Sequence, residues 1–163
     1  ATLEAHGIVI RSKLPPPASV QVYGLTQWGY EADQLLIVLG RWAARSPGHD
    51  PTLPLSKSSL MLSFRTMFLA DVAGDTILTV GFVLGEETFR VHIADGVLTP
   101  TRGDVCGADV VLTTSPEAMA GFVYGKVPLA DMVAAGAIAL EGSWDAALAF
   151  QSYFTLPPKA GKT

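Results

Sequence analysis

The chain has almost no cysteine, little charge and no long apolar run, and each shortage narrows what it can be. One cysteine in 163 residues, Cys106, excludes an internal disulfide framework and fits a reducing, cytoplasmic compartment. Cys106 itself reads as a small, half-buried thiol rather than a nucleophile. Charged residues make up only 16% against 49% hydrophobic, so a real core can form and the composition argues against disorder. The net charge of −4 argues against strong nucleic-acid binding by the chain as a whole. That charge is uneven, because the first 13 residues carry Arg11 and Lys13 against one acid, Glu4. No apolar run reaches the roughly 18–20 residues of a membrane span. The richest, "LLIVLG", is short and flanked by Asp33, Gln34 and Arg41. The start lacks a signal-peptide pattern and an initiator Met; opening mid-pattern on "ATLEAHG", it reads as a fragment or processed product.

The motifs of catalysis are also missing. No G-x-S-x-G, H-E-x-x-H or C-x-x-C occurs. The closing "AGKT" lacks the earlier glycine of a phosphate-binding loop, with Leu156 in its place, and the chain ends where the helix should follow. His6, His49 and His92 are far apart in sequence, so no metal site is expected. His92 alternates to the face opposite Phe89, Val91 and Ile93. Glu86 and Glu87 sit in a turn, as a solvated pair, and Asp109 precedes a strand as a turn-bonding residue. Nothing assembles a nucleophile, a base and an oxyanion site. No catalytic residue and no cofactor is expected, and the chain does not read as an enzyme.

What is present is patterning. "TLEAHG" reads as the last turn of a helix stopped by Gly7. "IVIRS" and "VQVYGL" read as two strands around the Pro-rich "KLPPPAS", a hairpin with a stiff basic tip. Thr26 can cap the long helix that follows. In it Trp28, Ala32, Leu35, Leu39 and Trp42 are spaced 4, 3, 4 and 3 apart, a heptad seam. Further apolar stripes leave few polar positions. Either this is the central helix of one globule or it is a subunit interface; the spacing and the early position favour the interface, with Trp28, Leu35, Leu39 and Trp42 facing a second copy.

"SPGHDPTLP" is the clearest linker. It divides the chain into residues 1–46, a linker 47–55, a second domain 56–156 and a tail 157–163. "SKSSLMLSFRTMFLADVAG" reads as a helix ended by Gly74. "TILTVGFVLGEETFRVHIADGVLTPTRG" reads as three strands, with Asp95-Gly96 a strong hairpin signal. "ADVVLTT" is a fourth strand. "SPEAMAGFVYG" is a helix capped by Ser115 and stopped by Gly125. "VPLADMVAAG" is a short helix and "AIALEG" a fifth strand. "SWDAALAFQSYF" is a closing helix with Trp144, Ala147, Leu148 and Phe150 inward. The second half is therefore α+β, with a mainly antiparallel sheet covered by helices.

Its apolar side chains are dense. Leu60, Phe64, Met67, Phe68, Phe82, Phe89, Met119, Phe122, Met132 and Phe150 can form an ordinary core or line an adaptable apolar cavity, and patterning alone does not separate the two.

Over about residues 56–156 the order of small motifs resembles a sterol carrier protein type 2 domain. The matching positions are Asp95-Gly96, Ala108-Asp109, Ser115-Pro116, Tyr124-Gly125, Gly136 and Glu141-Gly142. The resemblance implies a five-stranded sheet with helices over an apolar tunnel for sterols, acyl chains or similar lipids. The tunnel walls are not part of the motif, so the ligand is not carried over.

The first half is similar to the carboxyl end of an HxlR-type, MarR-like winged-helix regulator. The carrying residues are Leu3, Glu4, Gly7, Ile8, Val9, Arg11, Pro15, Pro16, Pro17, Tyr23, Leu25, Thr26, Gly29, Arg41 and Trp42. That resemblance implies a wing contacting DNA, through Arg11 and Lys13, and a dimerising helix. The helix-turn-helix that should precede Ala1 is absent, so this chain alone would not read bases. Together the readings imply the carboxyl-terminal sensor and dimerisation part of a transcriptional regulator, binding a hydrophobic small molecule or lipid. The alternatives are a lipid-binding or transfer protein without regulatory role, or a ligand-free dimerisation module.

Overall fold

The computed structural model describes residues 2–50 and 53–161. Pro51 and Thr52 of the expected linker, and Lys162 and Thr163 of the tail, lie outside the described residues. The chain forms two compact units, Ala1–Gly40 and Arg41–Thr163.

The first unit begins with hydrogen-bonded turns over "TLEAHG", where a helix end was expected. Two short strands follow, β1 (Val9–Lys13) and β2 (Gln21–Leu25), paired antiparallel with Arg11 opposite Tyr23 and Lys13 opposite Gln21. The prolines fall in the loop between them, where a missing N–H costs no ladder bond. Thr26 caps as its position suggests: its hydroxyl accepts from the Gly29 N–H at 3.0 Å and donates to the Gly7 carbonyl at 2.7 Å. The expected long helix is two pieces, α1 (Gln27–Glu31) and α2 (Asp33–Ala44), interrupted at Ala32. Nothing in the structure explains that interruption. The division between the two units falls within α2.

The second unit opens with α3 (Lys57–Met67), capped by Ser56 accepting from the Ser59 N–H. The single helix expected up to Gly74 is broken. Phe68 turns extended, and a short α4 (Ala70–Ala73) follows. The break has a tertiary cause: Phe68 pairs with Phe154 in an isolated antiparallel bridge, and the Leu69 N–H donates to the Tyr153 carbonyl at 2.9 Å.

The sheet contains β3 (Leu78–Leu84), β4 (Glu87–Ala94), β5 (Val97–Arg102), β6 (Val110–Thr114) and β7 (Ile138–Gly142), in the order β5-β4-β3-β6-β7. It is mixed: β3 and β6 run parallel, and the other pairs are antiparallel. The Asp95-Gly96 turn closes β4 onto β5 with both residues at positive φ, 51° and 68°, the conformation a two-residue hairpin needs. Pro100 lies on β5, an edge strand, where it is tolerated.

Three helices complete the unit: α5 (Pro116–Val123), α6 (Leu129–Ala134) and α7 (Trp144–Ser152). Ser115 and Ser143 cap α5 and α7 by accepting from the Ala118 and Ala146 N–H groups. Past α5, the left-handed residue is Lys126, at φ 54°, and not Gly125. Its ammonium holds it there by donating to the carbonyls of Gln151 and Phe154, each at 2.7 Å. On α7, Ala147 and Phe150 are buried as expected, but Trp144 and Leu148 are exposed. The inward positions are taken further along by Tyr153 and Phe154. Among the described residues, no helix is long and apolar enough to cross a membrane.

Candidate ligand-binding core

The register puts alternate strand residues on one side of the sheet. Phe82 of β3 stands opposite Phe89 of β4 and beside Leu112 of β6, and Leu112 stands opposite Leu140 of β7. Strand periodicity makes this the core face, and α3, α5 and α7 pack in the layer over it. The 4- and 3-residue steps from Leu60 to Phe64 to Met67 aim one face of α3 at the sheet.

The side chains singled out from the sequence meet there. Leu60, Phe64, Met67, Phe68, Phe82, Phe89, Met119, Phe122 and Phe150 are all buried in one cluster, and Met132 is partly buried against it. The rings touch in tilted and edge-on pairs. Phe64 lies 5.5 Å from Phe82, 5.3 Å from Phe150 at 88°, and 5.3 Å from Phe154. Phe150 and Phe154 are 4.8 Å apart. Such offset geometries suit the ring quadrupoles. Phe154, which sits at the centre of this group, lies two residues past the end of α7, so helical periodicity does not reveal it. Two surface grooves of the second unit, of about 310 and 440 Å³, are lined by other residues: one by Trp42, Arg45 and Pro47, the other by Ser56, Lys57 and Glu117.

Polar groups within this layer are few and matched. Thr66 donates to the Leu62 carbonyl at 2.8 Å. Ser63 of α3 lies 2.7 Å from the Tyr124 hydroxyl, and Tyr124 presents its ring edge-on to Phe154 at 6.3 Å. Burial pushes the Tyr124 phenol well above its ordinary value of 10.0, against the smaller downward pull of its bond to Ser63. Desolvation lowers the Lys126 ammonium from its ordinary 10.5. Sequence reasoning marked Tyr124 only through the Tyr124-Gly125 motif and missed Ser63, which carries no motif; only the fold brings the two together.

The far face of the sheet carries the polar residues. His92 is exposed there, as alternation requires, with Nδ1 3.0 Å from the Thr79 hydroxyl. The Asp109 carboxylate accepts the Thr79 N–H at 2.7 Å, a structural bond holding β6 beside β3. Cys106 is exposed rather than half-buried, in a loop whose backbone carbonyl accepts from Arg90. Among the described residues, no group of three or more His, Cys, Asp or Glu could hold a metal ion.

In the first unit Arg11 and Lys13 are exposed on β1, with the Arg11 guanidinium donating to the Gln21 carboxamide. Helix α2 has no buried residue. Leu35 and Trp42 are 71% and 70% exposed, and Trp28 and Leu39 are each more than half exposed. In the second unit Arg41 donates to the Thr66 and Phe68 carbonyls, fastening the last turn of α2 to the end of α3.

This α+β layering has known counterparts. The fold is similar to part of a sec-alkylsulfatase. That enzyme, the stereoselective inverting Pisa1 from Pseudomonas sp., matches with a TM-score of 0.58 at 18% identity. The match covers 62% of this chain and 16% of the sulfatase, so this chain corresponds to a small part of it. UbiJ-SCP2, a ubiquinone synthesis protein, matches at TM-score 0.45 and 8% identity, over 80% of this chain and 93% of that one. Sterol carrier protein 2 from Yarrowia lipolytica matches at TM-score 0.38 and 17% identity, over 52% of this chain and 71% of that one. No family model matches the chain, and no curated protein does.

Proposed function

We propose that the second unit binds a hydrophobic small molecule or lipid, and that the chain is the carboxyl-terminal sensor and dimerisation part of a transcriptional regulator. The observation that carries the binding reading is the layer between sheet and helices. It is built of phenylalanine rings in tilted and edge-on contacts together with methionine thioethers, and among the described residues no charged side chain is buried with them. Methionine side chains are unbranched and adapt to irregular neighbours, which is what an apolar guest requires of its host. The motif order shared with sterol carrier domains supports the same reading.

The regulatory reading rests on the first unit. A hairpin strand with Arg11 and Lys13 exposed suits phosphate contact, and the exposed apolar side chains of α2 suit a second copy of this helix. A ligand would act only by favouring one dimer arrangement over another. The rival is a lipid-binding protein without regulatory role.

Native mass spectrometry of the gently purified chain tests the binding reading. A lipid-sized mass leaving with the protein supports it. A bare protein mass, together with no uptake of the apolar dye Nile red, sinks it.

A further inference from the structure

The two edges of the sheet are not equivalent. In an antiparallel pair, a residue that bonds the neighbouring strand turns both its N–H and its C=O that way, and the next residue turns both the other way. One bond just beyond each edge strand sets its phase. The Thr88 carbonyl accepts the Gly103 N–H at 3.1 Å. Val97, Thr99 and Thr101 of β5 therefore bond β4, and Leu98, Pro100 and Arg102 turn their backbones outward. At the other edge the Asp109 carbonyl accepts the Ser143 N–H at 2.9 Å. Ala139 and Glu141 of β7 therefore bond β6, and Ile138 and Leu140 turn theirs outward.

The outward side of β5 is blunted, because Pro100 has no N–H to offer and Arg102 brings a charge. The outward side of β7 is not. Ile138 and Leu140 each keep a donor and an acceptor there, and no strand of the described residues pairs with that side. Leu140 lies on the core face and is only half-buried, so the apolar layer is open along this edge. Ala139 and Glu141 are exposed on the opposite face, and Glu141 makes no ion pair among the described residues.

We propose that β7 accepts an extended segment of a partner protein as an added strand, and that this segment carries a lysine or arginine next to an aliphatic residue. In antiparallel register the residue facing Leu140 exchanges both backbone bonds with it. Its side chain lies on the core side, where an apolar group continues the row of Leu112 and Leu140. The preceding residue faces Glu141 on the opposite side, where a basic group offsets the carboxylate. The residue facing Ala139 has room for a bulky side chain. Along the incoming chain the pattern is basic, aliphatic, bulky, aliphatic. A second copy of β7 fits less well: centred on Leu140, it sets Glu141 against Ala139 and leaves both carboxylates without a cation.

The test uses the full chain and the fluorescein-labelled peptide TKVYVT, followed by fluorescence anisotropy. The comparison peptides are TEVYVT, and TKVYVT with its first valine N-methylated, which removes the donor to Leu140. The parent should bind the lysine peptide about two- to fivefold more tightly than the glutamate peptide, as a cross-strand charge pair does. N-methylation should weaken binding about tenfold or more. Glu141→Lys should reverse the order of the lysine and glutamate peptides. Leu140→Pro puts at β7 what Pro100 puts at β5, removes no bond within the sheet, and should abolish binding. Glu141→Lys changes an exposed position, so the test stands even where Leu140→Pro does not fold. Three results overturn the proposal: no saturable binding at millimolar peptide, equal binding of the N-methylated peptide, or an unchanged order in Glu141→Lys. So does a parent assembly that shrinks in sedimentation velocity on Leu140→Pro, because a second copy then holds the edge.

Discussion

The backbones of Phe68 and Phe154 meet in a single antiparallel bridge, with their rings 6.1 Å apart. This contact ends α3 early, closes the segment after α7 over the core and brings Phe154 against Phe64 and Phe150. Phe154 therefore holds the core at a point where neither helix nor strand periodicity acts. Phe154→Ala should cost roughly 3–5 kcal/mol of unfolding free energy, as truncating a buried ring does. Urea unfolding followed by circular dichroism measures it, and a loss under 1 kcal/mol would contradict the central place given to this ring.

Gly142 ends β7 at φ 100°, and a Cβ there would stand 2.5 Å from the Asp109 carbonyl oxygen. That oxygen accepts the Ser143 N–H, so it cannot move aside freely. Gly142→Ala should destabilise by more than about 1 kcal/mol, since backbone strain and the clash outweigh the entropy gained by stiffening the unfolded chain. Gly121, inside α5 with open space around its missing side chain, is the control. Gly121→Ala should stabilise by about 0.5–1 kcal/mol. Thermal melts of the two variants should move in opposite directions.

Glu87 bridges Lys57 at 3.0 Å and Arg102 at 2.7 Å. The hydrogen bond from Lys57 holds its carboxyl below the ordinary 4.5, against the upward push of desolvation, and the Arg102 and Lys57 charges add to the lowering. A carboxylate with a lowered folded-state pKa contributes stability that is complete above its ordinary value. That contribution is lost as pH falls through the lowered one. Glu87→Gln should therefore lower stability near neutral pH, flatten the acid limb of the stability profile below pH 4.5, and make the remaining difference less sensitive to salt. Parallel acid-unfolding curves for the two proteins would count against this.

The exposed stripe of α2 makes a claim about assembly. Leu39→Glu places a charge in the middle of the proposed helix seam and should shift the chain from dimer to monomer in sedimentation velocity at micromolar concentration. A parent chain that already sediments as a monomer removes the dimer reading.

The motif positions that made the second half legible are scaffold. Asp95 and Gly96 form a turn, Ser115 and Pro116 start a helix, Asp109 ties two strands, and Gly142 sits where a side chain would clash. These are local demands, met by particular residue types at fixed spacing, so they can be read along the chain. The strand alternation that put His92 outside and Phe89, Val91 and Ile93 inside is equally local. Two of the expectations that failed depended on distant partners. Helix α3 breaks because Phe154 and Tyr153 bond to its end, and α5 is followed by Lys126 in a left-handed conformation because two carbonyls from the α7 region hold its ammonium.

The sequence by itself determined the order of elements, the five strands and the apolar character of the layer above them, because hydrophobic periodicity and turn chemistry act within a few residues of chain. Tertiary structure decided which rings touch, where α3 stops, and that the Ser63 and Tyr124 hydroxyls meet beside the aromatic layer. Those outcomes depend on contacts between side chains far apart in sequence, whose geometry no local pattern encodes.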